Sequence, residues 1–234
     1  MSGLDLFPRQ LAPDAVTGLG TAMAGGKGKL NLAKTARTPL DYYPTPPEAT
    51  RALWLAEREH IARHGARAWE PCGRGGAIAR ILQAAGLHVT ASDIVPDPAN
   101  AVVAGDIFVF GEAPAPIAIT NPPFAHAGRI IDHLLGRLHV PYLALLLKTT
   151  FFSTDTADRG HVARFATYRP SMRWDMTWRV DFTGGGNSTM NCSWFIWDML
   201  RPPTDPLGWG LLQRDGPVRA RADLFNQEER HERI

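Results

Sequence analysis

The sequence is poor in cysteine, in net charge and in long apolar runs. Its two cysteines, Cys72 and Cys192, lie far apart and match no metal-ligand spacing. A disulfide scaffold and a cysteine metal site are therefore both disfavoured, and reduced thiols in a cytoplasmic protein are the expectation. The longest apolar run, Val140 to Leu147, is far too short to span a bilayer. No secretory signal opens the chain. Net charge is only +2, from 25 Lys and Arg against 23 Asp and Glu, too little to establish a polyanionic partner by itself. What is present is ordinary in bulk: 234 residues, 44% hydrophobic, enough for one domain of moderate size with length left for tails.

The small net charge hides uneven placement. Residues 1–40 carry Arg9, Lys27, Lys29, Lys34 and Arg37 against Asp5 and Asp14. Residues 159–180 carry Arg159, Arg164, Arg169, Arg173 and Arg179 against Asp175. Such patches suit phosphate contact, and a solvated charged face explains them equally well. Residues 1–38, with Gly25-Gly26-Lys27-Gly28-Lys29, show no apolar period and read as a flexible basic arm. Residues 39–200 read as the folded domain and 201–234 as a C-terminal tail.

Within 39–200, helical and strand patterns alternate. Thr45 followed by Glu48 forms a capping-box pattern, with a helix expected to about His64. Strands are expected at 66–70, 87–92, near 105, at 117–120 and at 142–148, with helices at 76–85 and 128–138. This alternation implies a mostly parallel sheet covered on both faces. A Gly/Asn turn at 184–188 separates two β-rich runs, 176–182 and 192–199, which read as a hairpin. Ligands of such sheets bind beyond the carboxyl ends of the strands. Glu70, Asp93, Asp106, Asn121 and Lys148 all fall there.

The most specific of these positions opens the tetrad Asn121-Pro122-Pro123-Phe124, directly after Ile117–Thr120. Average residue usage gives such a tetrad by chance on the order of once in a thousand chains this long. Asn121 offers a side-chain carbonyl and Pro122 a backbone carbonyl, two acceptors able to bind both hydrogens of a planar amine. Phe124 offers a flat apolar face for an extruded base. The competing reading is a tight turn. Upstream, Glu70-Pro71-Cys72-Gly73-Arg74-Gly75-Gly76 joins a strand to a helix through glycines that permit sharp turning and close ligand approach. A dinucleotide fingerprint fails here because its third glycine position is Ile78. Asp93 can accept from ribose hydroxyls and Asp106 from an adenine amino group, or either can be a simple cap or turn residue.

Together these segments resemble the S-adenosylmethionine-dependent amino-methyltransferases of DNA, and most closely the small adenine methyltransferases of phages and prophages. The likeness rests on Asp41–Pro46, Glu70–Gly75, Ala91–Asp93, Ile119–Phe124 and Leu145–Phe152, with support from Tyr168-Arg169-Pro170 and Trp194–Asp198. It implies a Rossmann-like class I methyltransferase fold, a seven-stranded mostly parallel sheet ending in an antiparallel hairpin. By the same resemblance, S-adenosylmethionine would be held by Tyr43, Thr45, Pro46, Glu70, Pro71, Gly73, Gly75, Asp93, Ile94, Asp106, Ile107 and Asn121. Asn121, Pro122, Pro123 and Phe124 would hold the target base, with Lys148, Phe151, Arg173 and Trp178 on the substrate side. The implied partner is DNA, with no metal and no membrane. The chain has no room for a large target-recognition region, so specificity would be low, or come from residues 159–179 and the hairpin, or from a homodimer or partner subunit.

Several alternatives stay open at this level. Cytosine amino-methyltransferases more often carry Ser in place of Asn121, which favours adenine. RNA adenine or a protein glutamine would also fit such a tetrad, and the basic segments favour nucleic acid. A silent nucleic-acid-binding subunit is the non-enzymatic alternative, against which the intact Asn121, Glu70 and Asp93 count. Most of the tryptophans at 174, 178, 194, 197 and 209 read as core, with Trp178 or Arg173 as the substrate-side alternative.

Overall fold

A computed structural model describes residues 43–153, 160–186, 188, 190–204 and 206–219. The expected N-terminal arm lies outside them. Helix α1, Pro47–Ala62, is followed by β1 (Arg67–Pro71), α2 (Ala77–Ala84), β2 (His88–Asp93), β3 (Val102–Ala104), β4 (Ile117–Thr120), α3 (Ala127–Ile131) and β5 (Tyr142–Lys148). The remainder is α4 (His161–Thr167), β6 (Met172–Met176), β7 (Cys192–Asp198), β8 (Gly208–Gln213) and β9 (Gly216–Pro217). Among the described residues all nine strands form one sheet in the order β3-β2-β1-β4-β5-β7-β6-β8-β9. β1 to β5 are mutually parallel, and β7 inserts antiparallel between β5 and β6. The first seven strands are the mostly parallel sheet with an antiparallel end that the alternation of elements implied.

The central strands are buried on both faces because their side chains alternate into two cores. Ala144 and Leu146 of β5 join Trp194 and Ile196 of β7 in the core beneath α1. Leu143, Leu145 and Leu147 join Phe195 and Trp197 in the core beneath α3. That two-sided burial gives near-continuous apolar runs, the mark of a covered sheet. α1 is fixed by the indole of Trp194, which donates to the Ala49 carbonyl at 3.1 Å, and by fully buried Glu57. Glu57 accepts from Tyr142 Oη at 3.1 Å, Trp174 Nε1 at 2.7 Å and Arg201 Nη2 at 2.8 Å. A buried carboxylate persists only when paired and hydrogen-bonded in this way.

Four expectations differ from the structure. The Thr45–Glu48 capping box does not form: Pro46 is the N-cap, no side chain caps the helix, and prolines at its start replace that device. The helix expected over 128–138 starts as α3 but widens into a π-helical turn over Asp132–Arg137. The first hairpin strand lies at Met172–Met176 rather than 176–182, because the chain after it bends away and, among the described residues, pairs only through the isolated Val180–Met190 bridge. Residues 208–217 do not follow the tail expected over 201–234. β8 pairs parallel with β6 and β9 folds back on β8, enlarging the sheet beyond seven strands. Short strands rich in Gly, such as Gly208-Trp209-Gly210, carry little periodic signal of their own. Gly210 is required there, since a Cβ would lie 2.3 Å from the Trp174 ring.

Candidate active site

β1 ends in Glu70-Pro71, and the chain turns at once into α2. Cys72, Gly75 and Gly76 all adopt positive φ, at 59°, 75° and 58°. For Cys72 this is a costly backbone state, held by the loop around it. Gly73 has an ordinary φ but no space: a Cβ there would sit 2.7 Å from the Glu70 carbonyl oxygen and 2.9 Å from Glu70 Cγ. Glu70 itself faces the helix rather than open space. Its Oε1 accepts from the Ile78 amide at 3.3 Å and its Oε2 from the Ala79 amide at 2.7 Å. These are unsatisfied N–H groups at the start of α2, and an acid is favoured there. Burial nevertheless dominates and pushes the Glu70 carboxyl up to about 8.

The loop is tied to β2 by its backbone. The Gly73 amide donates to the Ser92 carbonyl at 2.8 Å, and the Arg74 amide to Asp93 Oδ2 at 3.2 Å. Asp93 Oδ1 accepts from the Val95 amide at 2.9 Å. Each oxygen of a carboxylate has a further acceptor position, so Asp93 retains capacity for a diol. Burial raises its pKa, with the Val95 and Arg74 amides opposing. Beside it Ile94 is an exposed apolar side chain, 60% accessible. Asp106 caps the short helical turn after β3, accepting from the Phe108 amide at 3.0 Å, while Ile107 is buried in the core. The thiol of Cys72 marks where these acids converge. Burial first, then Asp93, Asp106 and Glu70, push its pKa up.

Across the strand ends, β4 delivers the tetrad. Thr120 Oγ1 donates to the Pro71 carbonyl, linking the β4 exit to the glycine loop. Asn121 Nδ2 donates to the Tyr43 carbonyl at 3.3 Å, so the amide nitrogen is turned toward the start of the domain. Pro123 and Phe124 carbonyls accept from the His126 and Ala127 amides. No described residue donates to Asn121 Oδ1 or to the Pro122 carbonyl. Phe124 is half-buried, and Lys148 Nζ, at the exposed end of β5, lies 5.6 Å from its ring centre. Tyr43 meets Phe182 edge-on at 6.4 Å, while Thr45 is buried and Pro46 is the N-cap of α1.

Two residues expected on the substrate side have partners within the fold. Phe151 is buried against His161, with ring centres 4.3 Å apart. Arg173 spends its guanidinium on Asp175, at 2.7 and 2.9 Å. That pairing, with Ser193 and Trp209 also donating, holds the Asp175 carboxyl below its usual range despite burial. Trp178 is half-buried, with the Arg214 guanidinium 5.7 Å from its ring centre. Sequence reasoning missed Arg80, which bonds the Gly75 carbonyl and Asn100 Oδ1 and braces the outer side of the loop. It also missed Asp181, whose carboxylate gathers the Thr183, Gly184 and Gly186 amides into one turn. An Asp three and five residues before glycines was the available signal for the latter. Among the described residues no cluster of His, Cys, Asp and Glu could hold a metal ion, and no helix is long and apolar enough to cross a membrane.

No protein-family model matches the sequence, and no curated protein matches it. Solved structures do match in fold. A candidate RNA methyltransferase from Pyrococcus horikoshii superposes with a TM-score of 0.51 at 16% identity, over 68% of this chain and 87% of its own. A candidate class I S-adenosylmethionine-dependent methyltransferase from Listeria monocytogenes gives 0.50 at 14% identity, over 72% of this chain and 65% of its own. The chain therefore spans slightly under two thirds of the second protein. The shared architecture is the Rossmann-like fold of the class I methyltransferases.

Proposed function

We propose that this protein is an S-adenosylmethionine-dependent DNA methyltransferase acting on the exocyclic amino group of adenine. The observation that carries the reading is the pair of acceptors to which no described residue donates, Asn121 Oδ1 and the Pro122 carbonyl, at the carboxyl end of a central strand. The Tyr43 carbonyl fixes the Asn121 amide so that its oxygen is the group left to accept. Asn at this position, rather than Ser, favours adenine over cytosine.

The loop residues fit the methyl donor. Asp93 and Asp106 lie beside Cys72, Asp93 retains acceptor capacity for a ribose, and Ile94 gives an apolar wall. Gly73 leaves the loop backbone close to Glu70 with no side chain between them. When bound, S-adenosylmethionine would supply an electrophilic methyl group on a sulfonium sulfur. Asn121 and Pro122 would draw both amine hydrogens, localise the lone pair on nitrogen and stabilise the positive charge that grows there. Phe124 would orient the ring. The proton leaves nitrogen for solvent without a strong base, since an alkylated aminium is acidic. Isothermal calorimetry with S-adenosylmethionine, followed by labelled-methyl transfer to unmethylated duplex DNA, tests the reading. Absence of cofactor binding by folded protein would refute it.

A further inference from the structure

β8 and β9 lie beyond the first seven strands, yet they bring charge to the edge that carries the tetrad. β7 is antiparallel to both β5 and β6, so β6 runs parallel to β5, and β8 runs parallel to β6. The carboxyl ends of β4, β5, β6 and β8 therefore share one edge. Asn121 follows β4, Lys148 closes β5, Trp178 and Arg179 follow β6, and Arg214 follows β8. The ends of β6 and β8 are joined: Thr177 donates to the Leu212 carbonyl through both its amide and its hydroxyl, each at 3.0 Å. Arg214 lies over the Trp178 ring, and Trp178 packs on the same apolar core as Phe124 of the tetrad.

The charges here are available. Lys148, Arg179 and Arg214 are exposed, and among the described residues no carboxylate comes within ion-pair distance of Arg179 or Arg214. The neighbouring acids are Asp175, occupied by Arg173, and Asp181, occupied by backbone amides. Asp215 is exposed beside Arg214 and lowers the local charge without pairing with it. An arginine held over an indole keeps its donors outward at reduced entropic cost, the arrangement that suits a phosphate.

We infer that Trp178 and Arg214 form a contact for the sugar-phosphate backbone of DNA flanking the base held at Asn121, and that β8–β9 is the element that docks it. This inference rests on the proposed function and names a further part of the same substrate's footprint. Its test is fluorescence anisotropy of the full chain with a labelled mixed-sequence DNA duplex, saturated with S-adenosylhomocysteine, across a salt titration. Arg214→Ala is expected to weaken binding about five- to tenfold at low salt and to flatten the log–log salt slope by about 0.9, one phosphate contact. KM for DNA rises accordingly while kcat stays within about twofold, since the contact is remote from the amine. Arg67→Ala, the same charge loss at the opposite end of β1, is expected to leave binding unchanged. Arg214→Ala with wild-type affinity and slope overturns the inference, as does equal weakening by Arg67→Ala. Tighter binding of an RNA duplex of the same sequence overturns the assignment to DNA. Arg214-dependent DNA binding without methyl transfer would keep the surface and refute the function. Methyl transfer and DNA binding indifferent to Arg214→Ala would do the reverse.

Discussion

Replacing Gly73 by Ala isolates the glycine loop from every other part of the account. The residue's φ is −91°, so Ala pays no conformational penalty there. The obstacle is steric: the added Cβ would meet the Glu70 carbonyl oxygen at 2.7 Å, Glu70 Cγ at 2.9 Å and Glu70 Cδ at 3.0 Å. The two side-chain atoms cannot swing aside while the Ile78 and Ala79 amides hold the carboxylate, and the carbonyl belongs to the β1 ladder. Relief needs a loop shift of roughly 0.5 Å against a close-packed interior, which places the cost near the middle of the overpacking range, about 2 kcal/mol. For a domain this size that corresponds to about 6 °C in Tm. The same shift would disturb the Gly73 and Arg74 amide bonds to Ser92 and Asp93, and cofactor affinity is expected to fall at least about tenfold, the cost of roughly one such bond. Thermal unfolding and calorimetry with S-adenosylmethionine measure the two effects. Gly111→Ala serves as control, because no atom lies within 4 Å of a Cβ at that position. If Gly73→Ala were as stable as wild type and bound the cofactor equally well, the loop geometry would be wrong.

Three further outcomes follow from the same site. Asn121→Ala is expected to lower kcat by about a hundredfold or more while leaving S-adenosylmethionine affinity intact, read from transfer kinetics and calorimetry. Asp93→Asn loses acceptor capacity toward the Arg74 and Val95 amides and toward a ribose diol, and cofactor affinity should fall about tenfold by calorimetry. Glu70 titrates at 4.5 when unfolded and at about 8 when folded, so between those values the unfolded chain releases a proton that the folded chain keeps. Its contribution to stability is fully present below pH 4.5 and declines until pH passes about 8. Denaturant titrations across that window should show the decline in wild type and a flatter profile in Glu70→Gln.

The strands that carry the site were legible because their signals are local. Ile117–Thr120 and Tyr142–Lys148 are apolar runs bounded by turn residues, and the structure places strands at those limits. β8 and β9 were not legible, because their order depends on pairing with β6 and not on any pattern of their own. Asn121, Phe124 and Lys148 could be placed at one edge from the strand limits alone. The role of Glu70 could not, because the orientation of a carboxylate at a strand end is decided by the helix amides it meets. Arg173 shows the opposite limit: a basic residue in a basic segment reads as free until its cross-network partner Asp175 is seen. The bond from Asn121 to Tyr43 spans 78 residues and has no trace in local sequence.

The central claim is that Asn121 and Pro122 hold an adenine amine for methylation. The most direct measurement is nucleoside analysis of unmethylated duplex DNA after incubation with the protein and labelled S-adenosylmethionine. The account predicts label in N6-methyladenine, lost in Asn121→Ala. Label in methylcytosine alone, or no label from folded protein that binds the cofactor, would contradict it.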